Sequence, residues 1–182
     1  SRRSAFALRH TMAALDYQET INYSFVETRW ENELAGNAEP IRVLNPIAAP
    51  LAAMRSSLLG SLLAVLRYNL ARRAGRVRVF EVGRVFRRDA GVPDSGTTVA
   101  GVNQPMRLGA LAYGPAVQAQ WGAKERSVDF FDLKGDIEAL LAPRKPAFIP
   151  DTHPALHPGR CARIELDGRP IAALYATVDR GQ

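Results

Sequence analysis

The sequence predicts an α+β fold, in which a mostly antiparallel sheet is flanked by helices. Helical and extended apolar patterns follow one another irregularly, without the strict alternation of a doubly wound parallel protein. A strong hairpin signal near the C-terminal end adds two strands that run in opposite directions. The chain of 182 residues is long enough to bury a core. We expect a single domain over residues 1–182, cut from a longer protein.

The first part of the chain predicts two helices and two strands. Residues 2–15 carry apolar side chains at helical spacing. The stretch "ETINYSFV" (19–26) alternates apolar and polar residues as a strand does. "TRWENELAG" predicts a short helix that ends at Gly36, and "IRVLNPI" predicts a short strand that ends before Pro46.

The strongest helical pattern is "RSSLLGSLLAVLRYNLARRAG". Ser56 or Ser57 is expected to cap it, and leucines at spacings of three and four supply a broad apolar face. Arg72 and Arg73 complement the helix dipole in the last turn, and Gly75 is expected to end the helix.

The central part of the chain predicts two more strands. "RVRVFEVGRVFRRD" (76–89) is rich in valine and phenylalanine, and Gly83 inside it indicates a bulge or a close backbone approach. Residues 89–105 are typical of a loop, and "MRLGALAYG" predicts the next strand.

The last part predicts a helix and a hairpin. "VDFFDLKGDIEALLA" predicts an amphipathic helix that begins at Asp129 or Asp132. Its Gly135 lowers helix stability, and a close packing contact would explain why a glycine stands there. "CARIELDGRPIAALYATV" predicts two strands joined by Asp167-Gly168.

Charge and composition leave a nucleic-acid partner open. The net charge is +6 and the calculated pI is about 10, and most of the basic residues are arginines. Alternation places Arg76, Arg78 and Arg84 on one side of the strand, either as a solvated face or as a surface for an anion or RNA. No transmembrane segment is expected, and a single cysteine fits a reducing compartment.

The stretch "HPALHPGRCARI" suggests a metal site at first sight. His153, His157 and Cys161 follow one another at intervals of four, but a proline after each histidine disfavours the helix that would make this spacing meaningful. We predict a rigid loop that leads into a strand. Phosphate-binding glycine motifs and nucleophile motifs are also absent from the sequence. The sequence therefore predicts no catalytic, cofactor-binding or metal-binding residue.

Five stretches together resemble the bacterial phenylalanine–tRNA ligase beta-subunit family. They are "ETINYSFV", "NPIAAPLAAMRSSLLGSLLAVLRYNLAR", "VRVFEVGRVF", "DFFDLKGDIEALL" and "HPALHPGRCARIELDGRPIA". They occur in the family's order and spacing, and the resemblance covers nearly all of this chain. It is a resemblance to the inner region of the beta subunit, which has a class II aminoacyl-tRNA synthetase catalytic-core-like fold.

The resemblance implies a cytoplasmic α2β2 ligase whose alpha subunit attaches phenylalanine to tRNA with ATP and magnesium. It also implies that this region is a degenerate core that packs against alpha and needs no cofactor of its own. "FEVGRVFRRD" resembles motif 2, whose arginine holds the ATP α-phosphate in a working core, but "GRPIAALYATVDR" lacks the glycines of motif 3. We therefore expect no ATP site in this chain.

The resemblance also indicates where partners bind. "NPIAAPLAAMRSSLLGSLLAVLRYNL" resembles motif 1, the dimer helix of the class. It implies an interface with the alpha subunit formed by five residues, Arg55, Leu58, Leu62, Leu66 and Asn69. Two alternatives stay open: a module that contacts tRNA through Arg72, Arg73, Arg76 and Arg78, and a free-standing enzyme with a small-molecule pocket. No membrane partner is expected.

Overall fold

A computed structural model of the protein describes residues 4–46, 48, 50–118, 120–122, 125–152 and 161–175. The helices are α1 (Ala5–Ala14), α2 (Thr28–Glu33), α3 (Leu59–Ala71) and α4 (Phe130–Leu141). The strands are β1 (Gln18–Glu19), β2 (Phe25–Val26), β3 (Ala53–Met54), β4 (Val77–Arg84), β5 (Arg87–Arg88), β6 (Val102–Asn103), β7 (Met106–Tyr113), β8 (Ala147–Asp151), β9 (Cys161–Leu166) and β10 (Arg169–Tyr175).

The contacts divide the chain into two units, each built from separate stretches of sequence. Unit 1 consists of residues up to 15, 75–77 and those from 112 onward. Unit 2 consists of residues 16–74 and 78–111. Neither unit is a continuous sequence segment.

Unit 2 holds three small sheets and two helices. The largest sheet has the order β1-β4-β7, and most residues of β4 and β7 belong to unit 2. The pairs β2-β3 and β5-β6 form the other two sheets. Strand β1 runs parallel to β4, whereas β2-β3 and β5-β6 are antiparallel. The buried apolar residues of the unit are Tyr17, Val26, Ala53, Leu58, Leu62, Val79, Phe80 and Val85.

Two predicted strands in unit 2 are wrong in extent. The stretch 19–26 contains Glu19, the last residue of β1, and the whole two-residue strand β2, and no named strand covers residues 20–24. The Thr20 backbone N–H donates to the Phe80 carbonyl oxygen. "IRVLNPI" forms no named strand. Its Arg42 makes a single bridge to Ala53, and Met54 donates a backbone hydrogen bond to the carbonyl oxygen of Ile41 at 2.8 Å.

Helix α3 forms as predicted, but its ends differ from the prediction. It begins at Leu59, and Ser57 accepts a 3.2 Å hydrogen bond from the Leu59 backbone N–H. It ends at Ala71, and the left-handed conformation that follows falls on Arg73 (φ +61°) rather than on Gly75. Gly109 of β7 lets α3 lie close to the sheet, since a Cβ there would stand 3.0 Å from Leu62 Cδ1.

Unit 1 contains an antiparallel sheet of order β10-β9-β8. The predicted hairpin is confirmed, and its two turn residues, Asp167 (φ +52°) and Gly168 (φ +71°), have the positive φ values that a type I′ turn requires. Strand β8 was not predicted. It pairs with β9 along its whole length, from Ala147 to Asp151. Helix α4 contacts both α1 and β10.

The N-terminus of α4 has a complete capping box. Asp129 accepts hydrogen bonds from the backbone N–H groups of Phe131 and Asp132, and the Asp132 side chain accepts one from the Asp129 N–H. Arg126 donates two further hydrogen bonds to the Asp132 carboxylate at 2.6 and 2.7 Å. The Arg126 hydrogen bond lowers the pKa of Asp132 to about 2. The packing contact expected at Gly135 is not found, because no described atom comes within 4 Å of a Cβ placed there.

No helix in the described part of the chain is both long enough and apolar enough to cross a bilayer.

Candidate functional site

The interior of unit 2 contains an ion pair between Arg55 and Glu81. The Arg55 Nη1 atom lies 2.7 Å from Glu81 Oε1, and each side chain is 3% exposed. Arg55 follows β3, and Glu81 lies in the middle of β4. Buried charges are costly unless they are paired and hydrogen-bonded, so the remaining polar atoms of this pair decide whether it is stable.

Those remaining atoms are satisfied by unit 2 itself. Arg55 donates from Nε to the Arg84 carbonyl oxygen at 3.1 Å and from Nη1 to the Ser61 hydroxyl at 3.4 Å. The other Glu81 oxygen accepts a 2.8 Å hydrogen bond from the Asn22 amide. Gly83 makes room for this arrangement, since a Cβ there would clash with Arg55 Nη2. The predicted close approach at Gly83 is thus the approach of an arginine side chain.

A second buried acid, Glu31, connects α2 by a hydrogen bond to the segment that precedes α3. Glu31 is 2% exposed. One of its carboxylate oxygens accepts a 2.9 Å hydrogen bond from the Ser56 backbone N–H, and the other accepts a 2.8 Å bond from the Asn37 amide. Of the two serines expected to cap α3, Ser57 accepts a hydrogen bond from the Leu59 N–H. Ser56 instead donates its backbone N–H to Glu31.

The segment 20–24 has its polar side turned inward. Asn22 reaches the buried Glu81, and the Ser24 carbonyl oxygen accepts a hydrogen bond from the Arg55 N–H. Ile21 and Tyr23 are 93% and 72% exposed. The alternation of apolar and polar residues is present, but the buried Glu81 makes its polar side the inner one.

The five residues expected at a partner interface divide into two groups. Arg55, Leu58 and Leu62 are 2%, 5% and 3% exposed, so they belong to the interior of unit 2 and present no free surface. These three residues therefore lie on the part of the motif-1-like segment that faces the core. Leu66 and Asn69 are half-buried on the second half of α3, and the Asn69 amide donates to the Val65 carbonyl oxygen at 2.9 Å.

The four arginines expected to contact RNA are also divided. Arg72 and Arg73 are exposed, and the Arg72 guanidinium lies 3.4 Å from the centre of the Tyr68 ring. Arg76, in unit 1, donates to the carbonyl oxygens of Pro115 and Ala116.

Arg78, in unit 2, lies half-buried over the Tyr17 ring at 4.4 Å. Arg76 and Arg78 thus each make contacts within their own unit, and their contact with RNA stays a prediction.

Two residues of the motif-2-like stretch, Glu81 and Arg84, make contacts within unit 2. Arg84 donates its guanidinium to the Gln104 carbonyl oxygen at 2.8 Å, and Glu81 pairs with Arg55. Among the described residues, no three histidine, cysteine or acidic side chains are grouped to hold a metal. Cys161 is a buried free thiol, whereas His153 and His157 lie outside the described residues.

Comparison with known proteins agrees with the resemblance. A family model described as "Phenylalanyl tRNA synthetase beta chain CLM domain" matches residues 1–174. The phenylalanine–tRNA ligase beta subunit of Cupriavidus pinatubonensis is 60% identical over 173 residues, which are 95% of this chain and 21% of that protein. The beta subunit of Bordetella bronchiseptica is 54% identical over 176 residues, which are 96% of this chain and 22% of that protein.

A solved structure supports the fold. A pyrrolysyl tRNA synthetase of Desulfitobacterium hafniense, PylSc, matches with a TM-score of 0.57 at 11% identity, covering 94% of this chain and 56% of that one. The predicted α+β fold of the class II synthetase core is confirmed. The chain spans about a fifth of the length of the curated relatives that it matches. On the sequence match and the fold together, this chain belongs to the family of the phenylalanyl tRNA synthetase beta chain CLM domain.

Proposed function

We propose that this chain is a catalytically inert, core-like domain of a phenylalanine–tRNA ligase beta subunit. Its role is to support assembly with the catalytic alpha subunit in an α2β2 complex, and alpha attaches phenylalanine to tRNA with ATP and magnesium. The observation that carries the proposal is the buried Arg55–Glu81 pair. The pair places the chain's own charged side chains beside Glu81 and Gly83, in the stretch that resembles motif 2, whose arginine holds ATP in a working core.

The second half of α3 is the surface that we assign to the alpha subunit. The apolar stripe of this helix runs from the buried Leu58 and Leu62 to the half-buried Leu66 and on to Leu70, which is 38% exposed. The stripe therefore continues beyond the interior that covers its first half. An apolar stripe that extends past the core of its own domain is typical of a helix that packs on a partner.

Co-purification of the full-length beta subunit with alpha tests this assignment. Leu66→Asp places a charge in the proposed interface, and we expect it to abolish co-elution with alpha. Leu44→Asp is the matched control, because Leu44 is 96% exposed outside α3, and we expect it to assemble normally. Circular dichroism must show that both variants are folded. A folded Leu66→Asp variant that still assembles contradicts the proposed interface.

Catalytic inertness has its own test. The isolated chain should show no ATP–pyrophosphate exchange with phenylalanine above a blank. Exchange that depends on Arg84 would overturn the inert assignment and would leave the interface assignment untouched.

A second candidate function is contact with tRNA near the end of α3. The supporting observation is the exposed pair of Arg72 and Tyr68, since an exposed aromatic ring can stack on a base and a neighbouring arginine can contact a phosphate. Replacing Arg72 and Arg73 with alanine should weaken tRNA binding by the full-length beta subunit and reduce its salt dependence. Equal binding by the variant and the parent would rule this function out.

A further inference from the structure

A groove on unit 2 is lined by two arginines that come from different parts of the chain. Its lining consists of Ala38, Glu39, Pro40, Ile41, Arg42 and Arg88. The groove is open to solvent and has a volume of about 600 Å³, which is within the range of small-molecule sites, about 300–1,000 Å³. We call it the Arg42–Arg88 groove.

Hydrogen-bonded backbone holds both sides of the Arg42–Arg88 groove. On one side, Arg42 bridges to Ala53, and the Val43 N–H donates to the Ala52 carbonyl oxygen at 2.9 Å. On the other side, Arg88 of β5 pairs with Val102 of β6. Arg42 and Arg88 therefore line one groove from backbone positions that are held in place, which lowers the cost of ordering the backbone when a ligand binds.

Neither arginine has its charge neutralised by the described part of the chain. Arg42 and Arg88 are exposed, and no ion pair or side-chain hydrogen bond joins either of them to another described residue. Glu39, the acid in the lining, forms no ion pair with them. By contrast, Arg126, Arg144 and Arg163 each contact a carboxylate. The Arg42–Arg88 groove is thus a site of net positive charge.

We propose that the Arg42–Arg88 groove binds a phosphate group. Guanidinium groups bind phosphate oxygens through two parallel hydrogen bonds, and two arginines that line one groove offer such donors to a phosphate bound there. The groove is too open to enclose an apolar ligand, but openness suits a phosphate carried on a longer chain. The phosphodiester backbone of RNA and free inorganic phosphate have this chemistry in common. The site is separate from the α3 surface proposed for alpha, and it does not depend on it.

The experiment uses the full-length beta subunit in complex with alpha. Arg42→Gln/Arg88→Gln removes both guanidinium groups, and Arg107→Gln/Arg169→Gln is the matched control, since it removes two exposed arginines that do not line the groove. One arm measures the affinity for tRNA as a function of salt. The other arm measures binding of inorganic phosphate by phosphorus NMR line width. Co-elution with alpha and circular dichroism establish that each variant is assembled and folded.

For an RNA phosphate, the groove variant should bind tRNA about tenfold more weakly, and its salt slope should fall by about 1 to 2. The control should stay within about twofold of the parent, which separates local contacts from the loss of net charge. Loss of inorganic phosphate binding with unchanged tRNA affinity would identify free phosphate as the ligand. Unchanged binding in both arms, or an equal effect of the two double variants, overturns the proposal.

Discussion

Arg55 and Glu81 form a 2.7 Å ion pair in which each side chain is only 3% exposed. The pair joins the residue after β3 to the centre of β4, and Asn22 and Ser61 complete its hydrogen bonds. It is the structural relationship on which the proposed inert core most depends.

Arg55→Met should destabilise the chain by about 3–5 kcal/mol, because it leaves the Glu81 carboxylate buried without a countercharge. Arg55→Met/Glu81→Leu should lose less than the sum of the two single variants, since no lone charge is left in the interior. Urea unfolding of the chain measures each free energy. Additive losses would show that the two side chains do not interact.

Gly83→Ala should destabilise the chain by about 1–3 kcal/mol, because the added methyl group would clash with the Arg55 guanidinium. Gly135→Ala is the contrasting change. It lies inside α4 with no described atom within 4 Å of the new methyl group, so we expect a gain of about 0.5–1 kcal/mol. Thermal unfolding compares the two variants. A neutral Gly83→Ala would mean that Arg55 moves aside at little cost.

The pair formed by Asp132 and Arg126 should make α4 sensitive to acid. The folded-state pKa of Asp132 is lowered from 3.8 to about 2. A depressed pKa contributes stability that is present above the unfolded value and is lost as the pH falls through the folded value. The contribution should therefore be complete above about pH 4 and should disappear toward about pH 2.

Carboxyl NMR titration of Asp132 measures this directly. Arg126→Gln should move the midpoint upward, toward 3.8, whereas Arg144→Gln should leave it unchanged, because Arg144 pairs with Asp167. A midpoint near the ordinary value in the parent chain would contradict the hydrogen bonds from Arg126.

Elements with local signals were predicted well from the sequence. Helix α4 was predicted by Asp129 and the apolar spacing that follows it, and the hairpin was predicted by Asp167-Gly168. Capping and type I′ turns depend on a few neighbouring residues, so their physics is contained in the sequence around them. Strand β8 lacks such a signal, because Pro150 in its sequence argues against a strand. It forms by pairing with β9.

The sequence by itself determined the family, the α+β class and the places of the long elements, since five ordered stretches and local helix and turn signals all point the same way. Only the tertiary structure decided which polar residues are inside. Arg55, Glu81 and Asn22 come from three separate parts of the chain. Each is of a residue type that is usually exposed to solvent. Burial of a charge is favourable only once its partners are assembled around it. Arg55, which the resemblance to motif 1 placed at an interface, therefore lies in the interior of unit 2, whereas Ile21 and Tyr23 are exposed.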